Sequence, residues 1–187
     1  MSSPTAGKHA GSGAASSQPG VPEPTLAEQA RTLIHQSRVG SLSTLSRKHH
    51  GFPFGSLMPY ALDANANPLF LISTMAMHTQ NLQMDPHASL LVTSPDALGD
   101  PLGAPRVTLL GIAAPAPLAE VDEARRLYLD RHANSKQWAD FDDFAFYRMD
   151  VANVYFVGGF GVMGWLSAPE YRSASPVLFP RPKGADE

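Results

Sequence analysis

From Leu69 to Val92 the chain reads Leu-Phe-Leu-Ile-Ser-Thr-Met-Ala-Met-His-Thr-Gln-Asn-Leu-Gln-Met-Asp-Pro-His-Ala-Ser-Leu-Leu-Val. Two apolar runs of strand length flank a short amphipathic segment. Asp85-Pro86 stops that segment from growing into a long helix, because the residue before proline is pushed out of the α region. The chain is thereby held to a strand, a short helix and a second strand. The junction carries Ser73, Thr74, His78, Thr79 and Asn81. Free backbone N–H groups and the positive end of the helix dipole meet there, which favours an anion such as a phosphate. An ordinary capped turn has the same pattern.

The 187 residues are enough for one domain with a real core. Hydrophobic residues make up 43% and charged residues 17%, a soluble globular composition. A formal charge of −3 argues against a long basic face, so no nucleic-acid partner is expected. With no cysteine, disulfides, thiolate catalysis and Cys-based metal sites are excluded, and a reducing, cytoplasmic setting fits. No apolar run is long enough to span a bilayer, and no membrane partner is expected. Residues 1–23 are rich in Ser, Gly, Ala and Pro and lack the apolar stretch of a signal peptide; a disordered tail is expected there. A folded domain is expected over 24–172 and a loose tail over 173–187, where Leu178 and Phe179 have the character to dock on the body.

Thr25-Leu26-Ala27-Glu28 has capping-box spacing, and Leu26, Ala30, Leu33 and Ile34 give one apolar face, so a helix is expected over Thr25 to Arg38. Strands are expected at Gly40–Ser46, Phe54–Leu62, Leu69–Ser73, Ala88–Thr93 and Arg106–Ala116. A polar turn at 47–51 and a strong turn signal at Asp63–Pro68 separate the first three. A short helix fits Ala76–Met84 and a longer one Glu120–His132. Phe144–Met149 and Val151–Val157 read as two further strands, followed by a tight glycine feature at 158–161. Short strands, hairpin turns and few helices predict an α+β domain on a small antiparallel barrel of about six strands. A barrel that small has little internal room, so a ligand would sit outside it or between subunits.

Several segments, in this order, carry a resemblance: Gly-Ser-Leu-Ser-Thr-Leu (40–45), Pro-Phe-Gly-Ser-Leu-Met-Pro-Tyr (53–60), the 69–92 stretch, Pro-Arg-Val-Thr-Leu-Leu-Gly (105–111) and Val-Gly-Gly-Phe-Gly (157–161). Together they resemble the pyridoxamine-5'-phosphate-oxidase-like FMN-binding split barrels, and within them the haem-iron-utilisation (HugZ-type) branch. The similarity runs from Thr25 to Trp165. It implies a six-stranded antiparallel split β-barrel with flanking helices, acting as a homodimer with FMN at the subunit interface. Position by position, it places Ser56 where the oxidase has a phosphate-binding arginine. Ser73 and Thr74 fall at the strand end, Met77 and His78 where the oxidase has Arg-Lys, and Asn81 one turn later. Arg106 falls near the flavin ring, and Phe160 and Trp165 in the region that closes over the flavin from the partner subunit. Ala61 replaces a substrate-holding lysine and the Arg-x-His element is missing. Tyr128, Arg131 and Ser135 echo a substrate-phosphate motif with the Tyr-to-Arg spacing one residue short. A substrate other than pyridoxamine phosphate is implied. HugZ-type proteins often carry an additional C-terminal haem-handling domain that this sequence does not contain, so haem degradation is not expected.

In that reading the phosphate is gripped by hydroxyls, backbone N–H groups, Asn81 and a His78 that becomes cationic beside the dianion, each charge-assisted bond being worth about 1.5–3 kcal/mol. Arg106 either donates to the pyrimidine side of the flavin or serves as a strand-end ion-pair partner. The seven histidines form no metal constellation; His49 and His50 are adjacent in a turn, although either is open to haem. Asp140, Asp142 and Asp143 read as a solvated acidic face, and Met75, Met77 and Met84 as packing. Trp138 and Tyr147 read as buried at the barrel surface or a dimer contact. The expectation is an FMN-binding oxidoreductase of unknown substrate with a small-molecule redox partner. The alternatives are a haem-binding or haem-utilisation protein on the same scaffold and a non-catalytic flavin-binding module.

Overall fold

The computed structural model describes residues 23–177; the expected tail at 1–22, and Leu178 and Phe179, lie outside the described residues. The first helix, α1 (Leu26–Gln36), starts as its sequence demands. The Thr25 hydroxyl accepts from the Glu28 amide at 3.2 Å, and the Glu28 carboxylate accepts from the Thr25 amide at 2.8 Å. Ala30, Leu33 and Ile34 form its buried face. The strands are β1 (Val39–Leu45), β2 (Pro53–Pro59), β3 (Ala61–Leu62), β4 (Pro68–Ser73), β5 (His87–Thr93), β6 (Arg106–Pro115), β7 (Phe144–Gly159) and β8 (Val162–Ser167). Helix α2 (Met77–Met84) lies between β4 and β5, α3 (Val121–Arg131) between β6 and β7, and α4 (Ala168–Ser173) follows β8.

All strand pairings are antiparallel, in the order β2-β1-β5-β6-β7-β4-β3. The expected single strand over Phe54–Leu62 changes partner at Tyr60: β2 pairs with β1, whereas β3 pairs with β4 at the far end of the sheet. That exchange curls the sheet on itself. Counting 53–62 once, six strands make the barrel, the expected architecture, and β8 is added alongside the second half of β7. Tyr60 is buried at the changeover, its hydroxyl donating to the Ile34 carbonyl at 2.8 Å and its amide to the Arg38 carbonyl at 3.1 Å. The barrel is thereby tied to the end of α1.

The continuous apolar run of β4 is explained by burial on both faces. Phe70 and Ile72 point into the main core, while Leu69 and Leu71 face a second cluster under α3 with Ala124, Tyr128 and Phe146.

Three expectations change. Phe144–Met149 and Val151–Val157 form one 16-residue strand. The irregularity is a bulge at Ala152, the extra residue of β7 facing Leu110 and Gly111 of β6, and the strand runs through it unbroken. There a side chain on Gly111 would run into the Asp150 carbonyl, so glycine is required by close approach. Strand β8 and helix α4 were not anticipated, because each is only six residues long and three of the β8 side chains are exposed apolar ones. The tight glycine feature is the β7–β8 hairpin turn, with Gly159 at φ 126° and Gly161 at φ 79°. Within the expected C-terminal tail, Ser173 closes α4 and Val177 is tied down, its amide donating to Thr32 Oγ1 at 2.8 Å.

Candidate functional site

Strand β4 does open into α2, but the groups at the junction are largely engaged with the protein itself. Ser73 Oγ donates to the Asp143 carboxylate at 2.6 Å and accepts from the Met75 amide at 3.1 Å. The Thr74 amide donates to the Asp143 carbonyl at 2.7 Å. Asn81 is fully buried. Its Oδ1 accepts from the Arg47 amide at 2.9 Å and its Nδ2 donates to Thr44 Oγ1 at 2.9 Å, pinning α2 to β1 and the following turn. Met77 contributes no charge. His78 is half-buried, its Nε2 has no partner, and burial pushes its pKa below the ordinary imidazole value. Thr79 is fully buried with an unpartnered hydroxyl.

The remaining expected residues lie elsewhere. Ser56 is half-buried on β2, opposite Leu42 of β1. Arg106 opens β6, and its guanidinium donates to the carbonyls of Pro101, Leu102 and Ala104 at 3.2–3.4 Å, clamping the loop before its own strand. Phe160, at the β7–β8 turn, and Trp165, on β8, are 78% and 65% exposed, with Trp165 resting on Tyr155 at 4.9 Å between ring centroids. The structure thus gathers Ser73, Thr74, Met77 and His78 at one junction. Phe160 and Trp165 sit on the β7–β8 hairpin, paired to the second half of β7. Arg131, part of the echoed phosphate motif, donates to the His35 and Ser37 carbonyls and so caps α1; Tyr128 is core.

The outer face of the sheet carries a feature the sequence reading missed. Leu57, Ser41, Leu91, Thr108, Tyr155 and Trp165 stand in one cross-strand register from β2 to β8. Leu57 is 79% exposed at one end of this row. One step along the strands lies an open groove of about 500 Å³, walled by Leu45, Pro53, Leu110, Ile112 and Ala152, with His87 at its edge. His87 Nδ1 stands 2.7 Å from Asp85 Oδ1, and the same oxygen accepts the His87 amide at 3.0 Å. The signal in the sequence is Asp85-Pro86-His87, an Asx-type turn that brings a carboxylate onto the next strand's first side chain.

The sequence profile described as CREG, beta-barrel matches residues 22–173. The chain belongs to the CREG β-barrel family. Its relatives include the non-canonical heme oxygenase HOZ of Arabidopsis thaliana chloroplasts, 37% identical over 153 residues, which cover 79% of this chain and 46% of that protein. The chain therefore spans about half the length of that curated relative. A solved heme binding protein from Mycobacterium smegmatis is 37% identical with a TM-score of 0.77, over 83% of this chain and 63% of that one. A FAD-binding protein from Mesorhizobium loti shares the split-barrel fold at 18% identity and a TM-score of 0.53, over 67% of this chain and 89% of that one. The fold of this CREG-family chain is that of the pyridoxamine-5'-phosphate-oxidase-like split barrels.

The two cofactors raised by the sequence place different demands on these residues. An FMN phosphate needs cations or free donors. The junction offers a histidine that burial disfavours as a cation and a serine already bound to a carboxylate, so the donor set fits a dianion poorly. A porphyrin needs an apolar slot and a metal ligand, and the outer groove supplies both kinds of group.

Proposed function

We propose that this CREG-family chain binds haem on the outer face of its barrel and does so as a homodimer. The observation that carries the reading is the likeness, at 37% identity and a TM-score of 0.77, to a protein described as heme binding. The lack of a cationic clamp at the β4–α2 junction and the apolar groove on the outer sheet favour the same reading. The exposed row from Leu57 to Trp165 is the surface a second copy would cover. Such a pairing would bring the Phe160 and Trp165 hairpin of one protomer towards the ligand face of the other.

A flavin-binding oxidoreductase with a small-molecule redox partner is the second reading. It is favoured by two polar atoms without partners in the first turn of α2, His78 Nε2 and Thr79 Oγ1, since a bound ligand would satisfy them. One experiment separates the two: the absorbance spectrum of the purified full chain, before and after titration with ferric protoporphyrin IX and with FMN. A saturable Soret band with no flavin uptake is the expected result. Stoichiometric FMN uptake with no haem binding would reverse the order of the two readings.

A further inference from the structure

We propose that His87, oriented by Asp85, would ligate the iron of a haem held in the apolar groove between β2 and β6. The inference rests on the haem reading above and adds the residue that holds the metal.

The argument begins with hydrogen bonding. A carboxylate only accepts, so the 2.7 Å contact places the hydrogen of the neutral imidazole on Nδ1 and leaves the lone pair on Nε2. A carboxylate behind an imidazole is the arrangement that fixes the tautomer of a metal-binding histidine and strengthens it as a donor. Among the described residues Nε2 of His87 has no hydrogen-bond partner. The ring is placed by backbone as well: Asp85 caps the end of α2, and the Pro86 carbonyl accepts from the Ala113 amide at 2.8 Å, locking the first residue of β5 to β6.

The groove's chemistry then selects the ligand. Among the described residues no three His, Cys, Asp or Glu side chains converge, so a bare divalent ion would lack its ligand set. A metalloporphyrin brings four nitrogens of its own and needs one more from the protein. It also needs an apolar slot, which Leu45, Pro53, Leu110, Ile112 and Ala152 provide at a volume of about 500 Å³. Leu45 and Pro53 are the last and first strand residues around the turn that holds Arg47, Lys48, His49 and His50. The other well-placed histidines are less suited. His132 Nε2 is hydrogen-bonded to the Tyr60 carbonyl, and His78 Nε2 is buried on α2.

The test is a titration of the full chain with ferric protoporphyrin IX, followed by absorbance, resonance Raman of the ferrous form and transfer to apomyoglobin. Wild type is expected to show an iron–histidine stretch. His87→Gly should lose it, release haem at least about tenfold faster, and recover the wild-type spectrum on addition of imidazole. His35→Gln, at an exposed site away from the groove, should match wild type. Asp85→Asn should keep the haem but raise its reduction potential, because the imidazole becomes a weaker donor, an effect that loss of packing alone would not produce. If wild type fails to bind haem, the haem reading itself falls. If wild type binds and His87→Gly keeps the same Raman line, spectrum and release rate, the assignment of His87 is overturned while the haem reading stands.

Discussion

Asn81→Ala distinguishes a structural amide from a ligand-binding one. In the folded chain the side chain is fully buried, and both of its polar atoms are used, on the Arg47 amide and on Thr44 Oγ1, each at 2.9 Å. Alanine removes two bonds that contribute about 1 kcal/mol each, and it also strands their partners. Thr44 Oγ1 is 2% exposed as a residue and retains a long 3.4 Å contact to the Phe54 carbonyl, so it is only partly orphaned. The Arg47 amide sits nearer the surface and can recover water. Two lost bonds and about one uncompensated group give a loss of about 2–4 kcal/mol, a large part of the 5–15 kcal/mol typical of a domain. At about 2–4 °C per kcal/mol, melting should fall by roughly 4–16 °C. Urea unfolding of ligand-free protein measures this directly, and a cycle with Thr44→Val isolates the pair term. A loss below about 0.5 kcal/mol without ligand, accompanied by weakened flavin binding, would refute the reasoning and return Asn81 to a ligand-binding role.

Gly111→Ala should destabilise by about 1–3 kcal/mol or shift the β6–β7 register, since its Cβ meets backbone at Asp150 rather than a movable side chain; equilibrium unfolding with amide exchange across β6 tests it. Desolvation holds His78 and His132 below the ordinary imidazole pKa, and partial desolvation with the Arg131 and Arg31 guanidiniums does the same for the more exposed His35, so the folded chain binds fewer protons than the unfolded one. Stability should therefore be full above about pH 6.5 and decline as pH falls through the folded values, with a shallower slope in His78→Asn. Unfolding midpoints taken from pH 7.5 down to 5 would show a flat or rising trend if those shifts are absent. Leu57→Glu, at the exposed end of the outer row, should leave the monomer's fold intact and convert a dimer to monomers in sedimentation velocity; an unchanged sedimentation coefficient would place the interface elsewhere.

Much of the fold was legible because its signals are local. Thr25 and Glu28 lie three residues apart and define the start of α1 by themselves, and Asp85-Pro86 ends α2 through the backbone of one residue. What went unseen was either short or paired at long range. The 144–159 strand was read as two, because what keeps it whole is its pairing with β6, about forty residues earlier in the sequence, which carries it past a bulge at Ala152. The exchange of partners at Tyr60 was likewise invisible: one strand's sequence says which face is buried, not which neighbour lies on each side.

The junction after β4 shows the same division more sharply. Sequence by itself determined that hydroxyl, amide and imidazole groups would cluster where a buried strand meets a helix, because side-chain identity and the break before Pro86 are local facts. Tertiary structure alone decided whether those groups were free. Asp143, 70 residues from Ser73, took its hydroxyl, and Thr44, 37 residues from Asn81, took its amide. A hydrogen bond is satisfied by whichever partner the fold brings within 3 Å, so the capacity to bind is written in the residue and its availability is set by distant chain. The same folding that engaged those donors set Asp85 behind His87 on an open apolar face and left one imidazole nitrogen unclaimed.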